Sequence, residues 1–363
     1  MNSAVPKNAP GSRAELVVIH EAELEELARF IASQSGGEPS QVDARLRWFL
    51  LENPAREPGA PLGHGLRAPS GELVGCILCV PQAFRFQQET FVLMGSSSFY
   101  VNERYRGSGG LIFLKYAELG RRWALFGTSA NADAARLWKA RGAVPIPDSD
   151  HELFGVVNWG PVVEEILARK TGQRNLSRLA GRGISRVVAP FARLRIKCDG
   201  SEKLSPLESP EDVTALPIPE ASPSMTADRN LRYLRWRYFS GRDSTSAVFA
   251  FGSKGLDRDV VVAVNQRPRG YRGQINTLNL LDVYPSVTPE IGVRVVGALL
   301  DRYRNSIDAI VLRGQDVERQ QLFCHFGFKP RQFEAPNGWV LDRFDRLPTR
   351  NWHFVPGDGD WLS

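Results

Sequence analysis

Residues 99–119 read FYVNERYRGSGGLIFLKYAEL, and the fold turns on how this stretch is parsed. The run over 91–101 is aromatic and apolar, as an extended strand requires. It ends in a basic turn with glycine at 107, 109 and 110. The apolar spacing then changes to that of a helix, placing Leu111, Leu114, Lys115, Glu118 and Leu119 on one face. The order is strand, phosphate-sized loop, helix.

The first amides of a helix have no intrahelical partner, and the backbone dipole adds about half a positive charge there. Both attract phosphate. Gly107, Gly109 and Gly110 would let a pyrophosphate approach the backbone, while Arg104 and Arg106 supply charge. The same glycines also suit a plain tight turn.

With Arg106-Gly107-Ser108-Gly109-Gly110 placed five residues after Val101, the stretch resembles the acyl-CoA loop of the GNAT (GCN5-related N-acetyltransferase) superfamily. That loop carries an R/Q-x-x-G-x-G/A motif. Two registers are available. Starting at Arg106 aligns Gly109 and leaves Leu111 at the final position; starting at Arg104 aligns Gly107 and Gly109 but shifts the strand. We prefer the first. The resemblance implies that the strand bearing Phe99 and Val101 pairs with the pantetheine arm of acetyl-CoA, and that Arg104, Arg106, Gly107, Ser108, Gly109 and Gly110 hold its pyrophosphate. A later segment, Asn131 to Gly142, resembles the family's N-x-x-A-x-x-L-Y-x-x-x-G element beside the CoA thiol. Asn131 can cap that helix. Where the family often has a tyrosine serving as general acid, this chain has Trp138, whose indole has no accessible acidity, so a packing role against core or cofactor is expected.

The elements upstream follow the same pattern. A strand over 15–19, a helix over 21–33, a second helix over 41–52 ended by Asn53-Pro54, and strands over 63–67, 73–80 and 91–101 precede the loop. A strand over 123–128 follows its helix, and an apolar strand over 153–157 is expected to close the first sheet. The second half repeats the first: Leu46-Arg47-Trp48 recurs as Leu234-Arg235-Trp236, and Leu137-Trp138 with Gly142 recurs as Leu322-Phe323 with Gly327. Strands over 246–250, 260–265, 273–283 and 309–313 and a helix over 288–303 complete the copy. Pro289-Glu290-Ile291-Gly292-Val293 stands where the glycine loop would be, so cofactor binding falls to the first unit.

The expected fold is α/β (α+β): two tandem GNAT-like domains, each a mixed, mostly antiparallel sheet flanked by helices. Residues 14–160 form the first, 161–200 a basic helical connector and 201–350 the second, between a disordered 1–13 and an aromatic, acidic tail over 351–363. The chain has 363 residues, 42% of them hydrophobic and 24% charged, with a formal net charge of +6, which suits a soluble protein with two cores. The arginines are not interleaved with aromatics on one strand surface, so no nucleic-acid partner is expected. The polar N-terminus and the lack of a membrane-length apolar run point to the cytoplasm. Cys76 and Cys79 lie within an apolar strand without a second pair, which reads as core thiols and no metal site.

The function implied is direct transfer of an acyl group from acetyl-CoA to a small-molecule amine, such as an amino sugar of surface-polysaccharide metabolism, without an acyl-enzyme. His151 and Glu103 are the candidate bases. Two other readings fit the same chain: a peptidoglycan-type aminoacyl transferase using aminoacyl-tRNA, and a catalytically degenerate CoA-binding or scaffold protein.

Overall fold

The computed structural model describes residues 14–171, 194–196, 203–212, 222–240, 245–252, 260–270, 274–285, 287–314, 316–348 and 352–353. The expectations for 1–13, for the connector beyond 171 and for the tail beyond 353 lie outside them. In chain order the first half runs β1 (Glu15–Ile19), α1 (Leu24–Ser35), α2 (Pro39–Leu46), β2 (Gly63–Arg67), β3 (Leu73–Gln87), β4 (Glu89–Val101), α3 (Gly109–Glu118), β5 (Ala124–Gly127), α4 (Ala132–Ala140), β6 (Val144–Pro145), β7 (His151–Val156) and α5 (Trp159–Thr171). The remainder runs β8 (Lys203–Pro206), β9 (Ser222–Ala227), α6 (Leu231–Leu234), β10 (Ser246–Gly252), β11 (Val260–Arg269), β12 (Ile275–Tyr284), α7 (Pro289–Tyr303), β13 (Ala309–Arg313), α8 (Val317–His325), β14 (Lys329–Gln332) and β15 (Trp339–Leu341).

Two mixed sheets result. The first is ordered β1-β2-β3-β4-β5-β15-β6 with β9 added on β3, and the second β14-β7-β13-β12-β11-β10-β8. In each, a run of antiparallel strands meets one parallel pair, β4 with β5 and β12 with β13. The strand over 153–157 does not close the first sheet as expected. It is β7, and it enters the second sheet between β13 and β14. Its expected place beside β5 is taken by β15, whose Trp339 and Leu341 join the core under α3 and α4. The first half thus gives β7 to the second sheet, and the second half gives β9 and β15 to the first.

Local differences have local causes. The second helix stops at Leu46 and continues as a π turn over Arg47–Leu51. The buried face of α3 is Ile112, Phe113, Tyr116 and Ala117, one step from the face expected. Lys115 and Glu118 instead pair with each other at 2.8 Å on the surface. β3 and β4 extend well past their expected hairpin ends because β9 covers the extension, with Phe84 opposite Ala227. Cys76 and Cys79 are both buried but pack into different clusters, Cys76 with α1 and α2 and Cys79 with α3 and α4, so they do not act as a ligand pair. Burial pushes the Cys76 thiol up to about 12.

One core cluster spans both halves, running from Leu24 and Ile31 through Trp48 to Trp236, Val248 and Leu281. At its centre Trp48 Nε1 donates to the Trp236 carbonyl at 2.7 Å, and Trp236 Nε1 donates to the Trp48 carbonyl at 2.9 Å. Both tryptophans sit in π turns, Arg47–Leu51 and Arg235–Ser240. Phe49 stacks on Trp236 at 6.0 Å with planes 10° apart. Each carbonyl is buried, so a lost donor leaves an acceptor unsatisfied, at about 1–3 kcal/mol. Trp48→Phe and Trp236→Phe should each lower stability by about that amount in urea unfolding. Coupling in the double variant is expected, because the two bonds share one contact.

His64 on β2 is 3% exposed, with both ring nitrogens lacking a partner. Burial, aided by Lys115, pushes its pKa down to about 4. A base whose folded pKa lies below its unfolded value stabilises the fold above about pH 6.5, and that stability is lost as pH falls toward 4. Between pH 7 and pH 5 the loss should be about 2 kcal/mol. Denaturant melts at both pH values should show that part of the drop missing in His64→Leu.

Candidate functional site: the cleft between β4 and β5

Pairing between β4 and β5 runs from Leu93 opposite Ala124 to Ser96 opposite Gly127 and goes no further. Beyond it β4 carries a bulge: Leu78 faces Ser97 while Cys76 faces Tyr100, and Ser98 adopts φ +48°. A bulge bends its strand and increases local twist. Here it leaves the β5-facing edge of residues 97–101 without a strand partner among the described residues. The opening is a cavity of about 230 Å³ lined by Ser96, Ser98, Phe99, Asn131, Trp138 and their neighbours.

The aromatic wall of this cleft is fixed by close packing. Trp138 is 2% exposed and meets Phe113 edge-on at 5.2 Å and Tyr116 at 5.9 Å. A Cβ on Gly127 would lie 2.9 Å from Trp138 Cζ2, so only glycine lets the indole reach the strand. The Tyr116 hydroxyl donates to the Met94 carbonyl at 2.6 Å, and burial raises its pKa, so it stays protonated. Asn131 caps α4 by accepting from the Ala134 amide at 2.9 Å.

At the outer end β4 passes into a 3₁₀ turn, Glu103–Ser108, capped by Asn102, and this turn feeds directly into α3. Arg104 and Arg106 are exposed around it, and Glu103 lies 4.0 Å from Arg106 with its side chain 86% exposed. The residue ahead of α3, Ser108, makes no side-chain cap, and the first turn holds no acid. The three glycines divide into two kinds. A Cβ at Gly107 or Gly110 would meet nothing within 4 Å, whereas one at Gly109 would sit 3.4 Å from Val101 Cγ2 and 3.8 Å from Phe99 Cζ. Gly109 therefore faces the strand, and open space lies over Gly107 and Gly110. An anion can approach those two backbones.

The structure thus brings Phe99, Asn131 and Trp138 into one cleft wall, with Val101 and residues 104–110 at its outer end. His151 and Glu103 are not among the residues lining the cleft. His151 is at the start of β7 in the second sheet, where its Nδ1 is 2.7 Å from Asp150 Oδ1. Ser96, Ser97 and Ser98 were missed in the sequence, where three serines in a strand carried no signal beyond polarity. The corresponding helix start in the second half is closed: Thr288 caps α7, and hydrogen bonds from Glu290's own amide and from Thr288 hold the Glu290 carboxyl below its ordinary pKa.

No family model matches the sequence, and no curated protein matches it. Solved structures do. A GCN5-related N-acetyltransferase from Anabaena variabilis superposes with a TM-score of 0.56 at 12% identity, over 90% of this chain and 72% of that one. One from Kribbella flavida gives 0.51 at 13% identity, over 91% and 71%. The chain has the fold of these acetyltransferases; at such identities the likeness concerns the fold alone. Among the described residues no group of three His, Cys, Asp or Glu could hold a metal ion, and no helix is long and apolar enough to cross a membrane.

The division among the glycines predicts different consequences of adding a side chain. Gly109→Val should wedge β4 from α3 and lower stability by about 1–3 kcal/mol. Gly110→Glu should leave stability within about 0.5 kcal/mol while placing an acid over the helix start. Thermal or urea unfolding of the two variants checks the contrast.

Proposed function

We propose that the chain is an acyl-CoA-dependent N-acyltransferase using a single cleft, that between β4 and β5. The observation that carries this is open space over Gly107 and Gly110 where the 3₁₀ turn passes into α3 without a side-chain cap, at the outer end of a strand edge without a strand partner among the described residues. These features fit an anionic, amide-bearing ligand. Gly107, Ser108, Gly110, Arg104 and Arg106 would hold its pyrophosphate by backbone amides and charge. The free edge of residues 97–101 would take its extended arm as an added strand. Bound acyl-CoA supplies a thioester-activated acyl group.

The chain's own contribution is binding, orientation and exclusion of water. Main-chain N–H groups at the β4 bulge would bond an acyl carbonyl oxygen, where charge develops during attack by an amine. Trp138 and Phe113 give that position an apolar wall, and the Tyr116 proton is committed to Met94. Because neither His151 nor Glu103 lines the cleft, we assign loss of the amine proton to solvent. The rate should then follow the unprotonated fraction of the amine, and His151→Gln should keep most activity. The closed start of α7 supports one cofactor site per chain, in keeping with two tandem units of which only the first binds CoA. The acceptor we propose is a small-molecule amine, with an amino sugar as the leading class.

Calorimetric titration with acetyl-CoA should give one site per chain, and Gly110→Glu should weaken it by about tenfold or more, or at least 1.4 kcal/mol. Thiol release with a panel of amines, amino sugars included, then tests turnover. A stoichiometry of two, or undiminished affinity in Gly110→Glu, would sink this placement.

A further inference from the structure

The inner end of the cleft between β4 and β5 is closed by three groups that meet at one point. The two strands last pair at Ser96 and Gly127. Over that pair lies the edge of the Trp138 indole: a Cβ on Gly127 would come within 2.9 Å of Trp138 Cζ2, 3.1 Å of its Cε2 and 2.9 Å of Ser96 Oγ. A glycine on one strand, a serine hydroxyl on the other and the indole edge therefore converge where the strands begin to part.

Each of these groups is held in place. The buried indole has Phe113 edge-on at 5.2 Å and Tyr116 at 5.9 Å, and turning it would force neighbouring side chains off their rotamers. Its main chain is fixed at the end of α4, where the Trp138 carbonyl accepts from the Arg141 amide at 3.0 Å and from the Ala143 amide at 3.2 Å. The Ser96 hydroxyl is hydrogen-bonded to that of Tyr116, which in turn donates to the Met94 carbonyl. The cavity in front of this junction holds about 230 Å³. That is less than the roughly 300–1,000 Å³ of pockets that enclose a drug-sized ligand.

The inference rests on the acyl-CoA reading above, which puts the anionic end of the ligand over Gly107 and Gly110 and its extended arm along residues 97–101. At a strand's rise of about 3.3 Å per residue, an arm laid from Val101 to Ser97 runs about 13 Å inward and brings its acyl end up to the indole. We propose that Trp138 is the stop that sets acyl length, so that the cleft takes thioesters of short acyl groups, acetyl or propionyl, and turns away longer chains. One methylene too many in an apolar pocket is worth about 10–200-fold in discrimination. The edge that makes the stop belongs to the fused ring system at Cζ2 and Cε2, which a phenyl ring lacks. At the matching place of the second half, α8 carries Phe323, also buried, so the helix accommodates the smaller ring.

Isothermal titration of the full chain with CoA, acetyl-CoA and hexanoyl-CoA tests this. Each acyl-CoA is referred to CoA on the same protein, so that a general weakening by a substitution cancels. The unsubstituted chain should bind hexanoyl-CoA on the order of tenfold or more weaker than acetyl-CoA, and Trp138→Phe should shrink that ratio by about threefold or more. Circular dichroism controls for folding, and Trp138→Leu replaces Trp138→Phe if that variant does not fold. Equal affinity for the two acyl-CoAs in the unsubstituted chain, or an unchanged ratio in the folded variant, overturns the proposal. If CoA binds at one site and chain length makes no difference, the stop alone is lost; if CoA itself does not bind, the acyl-CoA reading falls and the stop with it.

Discussion

The two halves are held by one reciprocal contact, in which each of two tryptophans donates its indole N–H to the other's main-chain carbonyl. A regular α-helix would engage those carbonyls in its own i to i+4 ladder. The π turns at Arg47–Leu51 and Arg235–Ser240 widen that ladder at the two tryptophans. Around this centre one core cluster runs through both halves, from Leu24 and Trp48 to Trp236 and Leu281. β9 extends the first sheet, and just beyond it Arg229 reaches Asp282 of the second sheet at 2.6 Å, both 1% exposed. Tyr238 donates to the same carboxylate at 2.8 Å. Removing one partner of such a buried pair leaves an uncompensated charge, which costs about 3–5 kcal/mol, so the halves cannot shift without breaking it.

The Trp contact was legible as a repeated Leu-Arg-Trp, although the sequence carried no sign that the two copies would touch. The second match extends into the structure: Asn131 and Asp316 each cap a helix, Trp138 and Phe323 are each buried in it, and Gly142 and Gly327 each follow it with positive φ. Strand exchange was not legible. Alternation and β-branching specify which residues form a strand and which faces they present, but a six-residue apolar strand such as β7 fits any slot of the right width. What decides the exchange is the pairing of β7 with β13 and β14 and of β15 with β5 and β6, in contacts more than 150 residues apart.

The cleft was half legible. The glycine turn was legible as a loop leading from β4 into a helix, and Asn131 as a cap. The three glycines differ in their surroundings, because Gly109 lies beside Val101 and Phe99 while its neighbours leave open space. The bulge at Ser98 had no glycine to mark it, since the strain is carried by a serine held between β3 and the cleft. The arginine cluster was equally hidden: its carboxylate, Glu152, comes from the exchanged strand, and its arginines come from β11, β13 and β14.

The two sheets therefore share a frame and differ in what stands at corresponding places. At the first parallel pair the strand edge beyond the pairing opens into a cleft walled by serines and aromatic rings, and positive charge is confined to the helix start above it. At the second, the helix start is closed by Thr288 and Glu290, and the positive charge has moved down onto the sheet face itself. The guanidinium groups there are engaged with the buried Glu152 carboxylate, whereas a helix start presents backbone amides. The first arrangement stands in one half and the second in the other, and one core cluster joins the two halves.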